Sequence, residues 1–146
     1  MVEIAIITDD LTGAADTGVQ FCPYFSDTIL TSYSNLPSDS VGVLSSSLEA
    51  LSVYTNSRSM KTILARDRLC AVARQLLLHQ PKQIYKKIDS CLRSNLGVEV
   101  EAIMDEMKYE LSFIAPAFSR MGRTTFHDVH LIDGTPAALL AKATQR

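Results

Sequence analysis

The sequence predicts an α/β fold, a three-layer sandwich with a largely parallel sheet flanked by helices. Short β-branched apolar runs alternate with longer amphipathic stretches in the order strand, helix, strand, helix, strand. Crossover connections in a parallel sheet impose that order. The first run, VEIAIIT (2–8), is almost continuously apolar, as suits a strand covered on both faces. At 146 residues the chain is most simply one domain, residues 1–146, large enough to bury a core.

After VEIAIIT, the strand candidates are DTILTSY (27–33), SVGVLSS (40–46) and LSVYTN (51–56), separated by Pro, Ser and Asn turn chemistry. SMKTILARDRLCAVARQLLLHQP (59–81) reads as a long helix. Ile63, Leu69, Val72, Ala73 and Leu76 keep helical spacing, and Pro81 ends the element. QIYKKID (83–89) returns to strand character. Residues 95–108 predict a second helix, with Val100, Ile103, Met104 and Met107 as its inward stripe and Glu99, Glu101, Asp105 and Glu106 outside it. ELSFIAPAF (110–118) is a further strand candidate running into a polar loop. DVHLIDGTPAALLAKATQR then turns at Asp133-Gly134 and ends in a mildly helical tail that closes nothing, so the chain reads as part of something longer.

Composition narrows the classes of function. The hydrophobic fraction of 47% and charged fraction of 21% are those of an ordinary globular protein, and a net charge of −2 offers no footprint for nucleic acid or an anionic membrane. Cys22, Cys70 and Cys91 are odd in number and widely spaced, which predicts free thiols in a reducing compartment. MVEIAIITDD lacks the basic start of a signal peptide, and no stretch nears the roughly 20 apolar residues that cross a bilayer. A cytoplasmic location without membrane or nucleic-acid partners is the expectation.

Ligands of open parallel sheets bind beyond the carboxyl ends of the strands. Strand one delivers Thr8, Asp9 and Asp10 there; TNSR (55–58) delivers Arg58; the strand at 83–88 leads to Lys87, Asp89, Ser90 and Arg93; and SRMGRTT (119–125) brings Arg120 and Arg123. Carboxylates that accept from hydroxyls, beside guanidinium forks that match carboxylate or phosphate, suit a polyhydroxylated acid. Singly, each residue also has a plain structural reading. Asp10 or Thr12 can cap a helix starting near Gly13, worth about 1 kcal/mol. Asp89 and Ser90 can be turn residues, and Lys87 and Arg93 solvated charge.

Competing motifs fit less well. GAADTGVQ (13–20) has P-loop glycine spacing but Val19-Gln20 where Lys-Ser/Thr belongs. A D-x-D phosphatase needs its aspartates one residue apart, whereas adjacent ones on a strand point to opposite faces. A receiver domain would need another aspartate closing a central strand, where GVLSSSLE (42–49) offers serines. His127 and His130 lack a third zinc ligand, so no metal site is expected.

DDLTGAADTG, TNSR, KKIDSCLRSNLGVEVEAIMD and APAFSRMGRTTFHDVHLIDGTP together resemble the N-terminal domain of the four-carbon acid sugar kinase family over residues 4 to 136. The resemblance implies an ATP-dependent kinase for threonate, erythronate or their oxo derivatives. Its N-terminal domain holds the sugar acid, and a separate C-terminal domain binds the nucleotide. ATP and Mg²⁺ are therefore expected mainly outside this chain, which alone should bind weakly and turn over negligibly. A homo-oligomer is compatible with this. Motif by motif, the resemblance carries over Asp9, Asp10, Arg58, Lys87, Asp89, Ser90, Arg93, Asn95, Arg123 and Thr124 as site residues. Arg58 and Arg93 would clamp the carboxylate, and Asp9, Asp89 and Ser90 would bond hydroxyls. Asp10 would orient or deprotonate the attacking hydroxyl. Where the family tends to have threonine, glycine and a pair of small residues, this chain has Cys91, Ser94 and His127-Asp128. The rival readings are a stand-alone or remnant sugar-acid-binding module and a receiver-like phosphoacceptor.

Overall fold

In a computed structural model, which describes residues 2–36 and 47–143 (141–143 by backbone alone), the first strand is the heart of the molecule. β1 (Ile4–Thr8) is buried along its whole length because it lies between two other strands and beneath helices on both faces. The chain divides into two compact units, Met1–Lys87 with Ser94–Leu111 and Ile88–Arg93 with Ser112–Arg146.

The first unit holds a four-stranded sheet in the order β2 (Thr28–Ser32), β3 (Ala50–Tyr54), β1, β4 (Gln83–Lys86). Every pairing is parallel; Ile4 stands opposite Ala50 on one side and Gln83 on the other. Alternation along the strands sorts the core. Ile4, Ile6 and Ala50 meet Phe21, the last residue of α1 (Leu11–Phe21), and Phe25 just beyond it. Ala5, Ile7, Leu51 and Val53 belong to the larger cluster with α2 (Thr62–Leu78) and α3 (Leu96–Met107). This is the expected three-layer α/β arrangement.

Within the elements, some expectations fail. Residues 40–46 lie outside the described residues. α2 stops at Leu78, short of Pro81, and Ile63 is 63% exposed. Ala65, not Ile63, starts the stripe of Leu69, Val72, Ala73 and Leu76, because at about 100° per residue Ile63 falls on the far side of the helix. In α3 the stripe includes Glu99, which is fully buried, together with Ala102, Ile103 and Met107, while Val100 and Met104 are half-buried. The segment 110–118 is not a strand; only Phe118 makes an isolated bridge, to Arg123. Leu111 and Phe113 are 85% and 94% exposed, and Pro116 removes a donor that a ladder would need.

The second unit carries the antiparallel strands β5 (Arg123–Phe126), β6 (Val129–Ile132) and β7 (Thr135–Pro136), then α4 (Ala137–Ala143). What reads as polar loop is thus a small meander. His127 and Asp128, both at positive φ (45° and 62°), form the two-residue turn between β5 and β6, and Asp133-Gly134 forms the next. Asp and His are among the non-glycine residues that adopt positive φ most readily, so His127-Asp128 can make this turn.

Candidate functional site

β1 ends at Thr8, and the next two residues carry the carboxylates. The turn is fixed by the loop after β3: Thr55 N–H donates to the Thr8 carbonyl (2.8 Å) and Ser57 N–H to the Asp9 carbonyl (3.1 Å). This brings Arg58 over both acids. Its Nε and Nη2 fork onto Asp9 Oδ2 and Oδ1 (2.8 and 3.0 Å), and Nη1 lies 2.6 Å from Asp10 Oδ2. The adjacent aspartates therefore do not diverge as alternating strand residues would, because the strand has ended before them. Asp9 is almost fully buried, so its charge requires that fork.

Asp10 has a second task. It is the N-cap of α1, its Oδ1 accepting from Gly13 N–H at 2.7 Å. The helix begins at Leu11, so Gly13 and Gly18 stand inside it and form no phosphate-cradling loop. A side chain at Gly13 would set its Cβ 2.7 Å from Asp10 Oδ1, which is why the small residue is needed there. Lys87 follows β4, its N–H donating to the Ile7 carbonyl (2.8 Å). Asn95 ties loops together: its Nδ2 donates to the carbonyls of Ser57 (3.2 Å) and Met60 (3.0 Å), and its Oδ1 accepts from Thr62 (3.1 Å).

Sequence reasoning missed the polar group behind this cluster. Glu99 accepts from Ser57 Oγ (2.6 Å) and pairs with Lys86 Nζ (2.8 Å), at side-chain exposures of 0% and 10%. The available signal was spacing: Glu99 stands three and four residues before Ala102 and Ile103, on the same stripe.

In the second unit, Arg93 forks onto Asp89 through Nε (2.7 Å) and Nη2 (2.9 Å), and its own N–H donates to Asp89 Oδ2 (3.1 Å). The Ser90 carbonyl can only accept, so His130 donates to it through Nε2 (2.7 Å). That leaves Nδ1 to accept from Thr125 Oγ1 (3.3 Å). Arg123 donates to the Met121 carbonyl and to Cys91 Sγ (3.5 Å), so Cys91 contributes a contact of its own. Thr124 is exposed on β5. Among the described residues, no three His, Cys, Asp or Glu side chains are grouped to hold a metal, and no helix is long and apolar enough to cross a membrane.

A parallel sheet flanked by helices, with carboxylates and a guanidinium at its carboxyl edge, defines an α/β domain, and that edge is where open α/β sheets take their ligands. Residues 4–143 match the model of the sugar-binding N-terminal domain, and the chain belongs to that family, the N-terminal domain of the four-carbon acid sugar kinases. It is 35% identical over 137 residues to a D-threonate kinase of Salmonella typhimurium and 34% identical over 139 residues to a D-erythronate kinase of Heliobacterium modesticaldum. These alignments cover 92% and 93% of this chain but 31% and 30% of the relatives, so the chain spans about a third of their length. A Bordetella bronchiseptica domain of unknown function, solved as a domain-swapped dimer with bound citrate, superposes with a TM-score of 0.81 at 28% identity. The match covers 98% of this chain and 36% of that one.

Proposed function

We propose that this chain is the substrate-binding domain of an ATP-dependent kinase that phosphorylates a four-carbon sugar acid: threonate, erythronate or an oxo-tetronate. The observation that carries the reading is the Asp9–Asp10–Arg58 cluster at the sheet's carboxyl edge, in a chain similar to kinases named for those acids. Carboxylate oxygens accept hydrogen bonds and do not donate them, so hydroxyl donors suit Asp9 and Asp10 as ligand groups. Asp9 and Asp10 therefore read hydroxyls, with Asp10 orienting or deprotonating the one that attacks the γ-phosphate. From the family motifs, Lys87 and Asn95, and in the second unit Asp89, Ser90, Arg93, Arg123 and Thr124, are further substrate-contact candidates. Arg58 and Arg93 supply the positive charge that the acid's carboxylate needs. Citrate in the Bordetella protein, itself a hydroxy acid, supports an acid ligand.

On this reading ATP and Mg²⁺ are bound mainly outside this chain, by a C-terminal nucleotide-binding domain as partner, in keeping with an α1 that begins at Leu11 without a glycine-rich phosphate loop. The domain-swapped dimer of the Bordetella protein supports a homo-oligomer, and a metabolic kinase of this kind works in the cytoplasm. The test is calorimetric titration with threonate, erythronate and oxo-tetronates, alongside Asp10→Asn and Arg93→Ala. Binding of at least one acid, lost in both variants, is expected. Absence of binding by every acid, or binding that survives both substitutions, overturns the assignment. If an acid binds but no nucleotide-binding domain supplied in trans restores ATP-dependent phosphorylation, the chain is a binding module and not half of a kinase.

A further inference from the structure

Glu99 is a buried carboxylate that the substrate contacts above do not use. Such a group is costly unless its charge is paired and its oxygens are bonded. Here two elements meet that need for the α3 residue: β4 supplies Lys86 Nζ at 2.8 Å, and the loop after β3 supplies Ser57 Oγ at 2.6 Å. Lys86 Nζ also donates to the Lys87 carbonyl (3.2 Å). Thr55 Oγ1, lying 2.8 Å from both Ser57 Oγ and the Thr8 carbonyl, links the group back to the end of β1.

Ser57 is thereby held at three points. Its hydroxyl donates to Glu99, its N–H donates to the Asp9 carbonyl (3.1 Å), and its carbonyl accepts from Asn95 Nδ2 (3.2 Å). The next residue is Arg58. A buried ion pair is weak evidence for stability, since apolar residues of equal volume often serve as well or better. What directional bonds add is geometry. We infer that Glu99, together with Lys86, is a positioning residue: it fixes Ser57, and through Ser57 the loop that aims the Arg58 guanidinium at Asp9 and Asp10. The inference rests on the proposed sugar-acid site for its functional meaning but not for its structural test.

Two variants of the full chain test it, Glu99→Gln and Ser57→Ala. The first removes the charge, and the second keeps the ion pair but cuts its tie to the loop. The ligand-free readout is the Arg58 Nε–H signal in ¹⁵N NMR, assigned with Arg58→Lys, because that proton is held on Asp9 at 2.8 Å. Both variants should exchange it about tenfold faster or more, while amides of β1 and β3 keep their protection. In parallel, the affinity for whichever four-carbon acid binds should fall about tenfold. If the Arg58 signal changes and no acid binds the parent chain, the positioning role stands and the functional reading falls. If an acid binds and both variants keep the signal and the affinity, the positioning role is overturned. If Glu99→Gln does not fold, Ser57→Ala decides alone. If neither folds, the group is a core support, and the inference is likewise overturned.

Discussion

Arg58 reaches Asp9 from 49 residues away, across the edge of a parallel sheet, whereas Arg93 reaches Asp89 from four residues away within one turn. Both are bidentate forks with the same atoms and nearly the same distances. Both acids are buried, Asp9 at 2% and Asp89 at 9% exposure, but their arginines differ: Arg58 is 35% exposed and Arg93 67%, and Asp89 also accepts from the Arg93 backbone N–H. The first fork exists only when β1, β3 and the loop after β3 are in register. The second closes between residues four apart in one turn. A fork built by the tertiary fold should be costly to break, and one built locally should be cheap.

The largest effect tests that contrast directly. Arg58→Ala leaves Asp9 charged and buried, and should cost about 2–4 kcal/mol in urea unfolding, toward the lower end because the guanidinium reaches solvent. Arg93→Ala should cost about 1 kcal/mol or less. Equal losses would erase the distinction between the two forks. Gly13→Ala comes next. Its Cβ would displace the Asp10 carboxylate from the α1 N-terminus and drag it off Arg58; the lost cap costs about 1 kcal/mol, which the better helix propensity of alanine offsets by roughly half or more, so the larger effect falls on acid binding. Unchanged stability together with unchanged acid binding would show that Asp10 can shift freely.

A smaller effect sharpens the comparison beside the local fork. Ser94, directly after Arg93, has φ of 97°, a conformation that glycine adopts far more readily. A glycine at this place would relieve backbone strain. Ser94→Gly should stabilise the chain by up to about 1 kcal/mol, partly offset by the added freedom of the unfolded chain. A loss of stability in thermal denaturation would contradict this.

How far the sequence discloses all this depends on the kind of signal. β1, β3, β4, α2 and α3 are legible because apolar periodicity follows from burial on one or both faces, and burial is what the parallel sheet does. Asp9, Asp10 and Arg58 are legible as candidates because they follow strands. Their convergence is not, since it depends on β1 ending at Thr8 and on backbone bonds between two distant loops. Glu99 is hidden because hydropathy places a charge outside, and only the tertiary fold brings Lys86 and Ser57 to it. The segment 110–118 misleads for the opposite reason. Its composition is that of a strand, but a strand is defined by a neighbour that composition does not supply.

The smallest expected effect sets the acid background against which both forks are measured. His79 closes α2, its N–H donating to the carbonyls of Leu76 and Leu77. The helix dipole there favours a cation, but partial burial dominates and pushes the imidazole below its ordinary value. The fold therefore holds His79 neutral at a pH where the unfolded chain already takes up a proton. Stability from this residue is complete at neutral pH. It falls as pH drops through the ordinary histidine range near 6.5 and stops falling once the folded form is protonated as well. His79→Gln should flatten this part of the stability–pH curve between about pH 7 and 5. What acid loss remains would then belong to groups other than His79. A variant curve parallel to that of the parent chain would show that His79 does not titrate on unfolding.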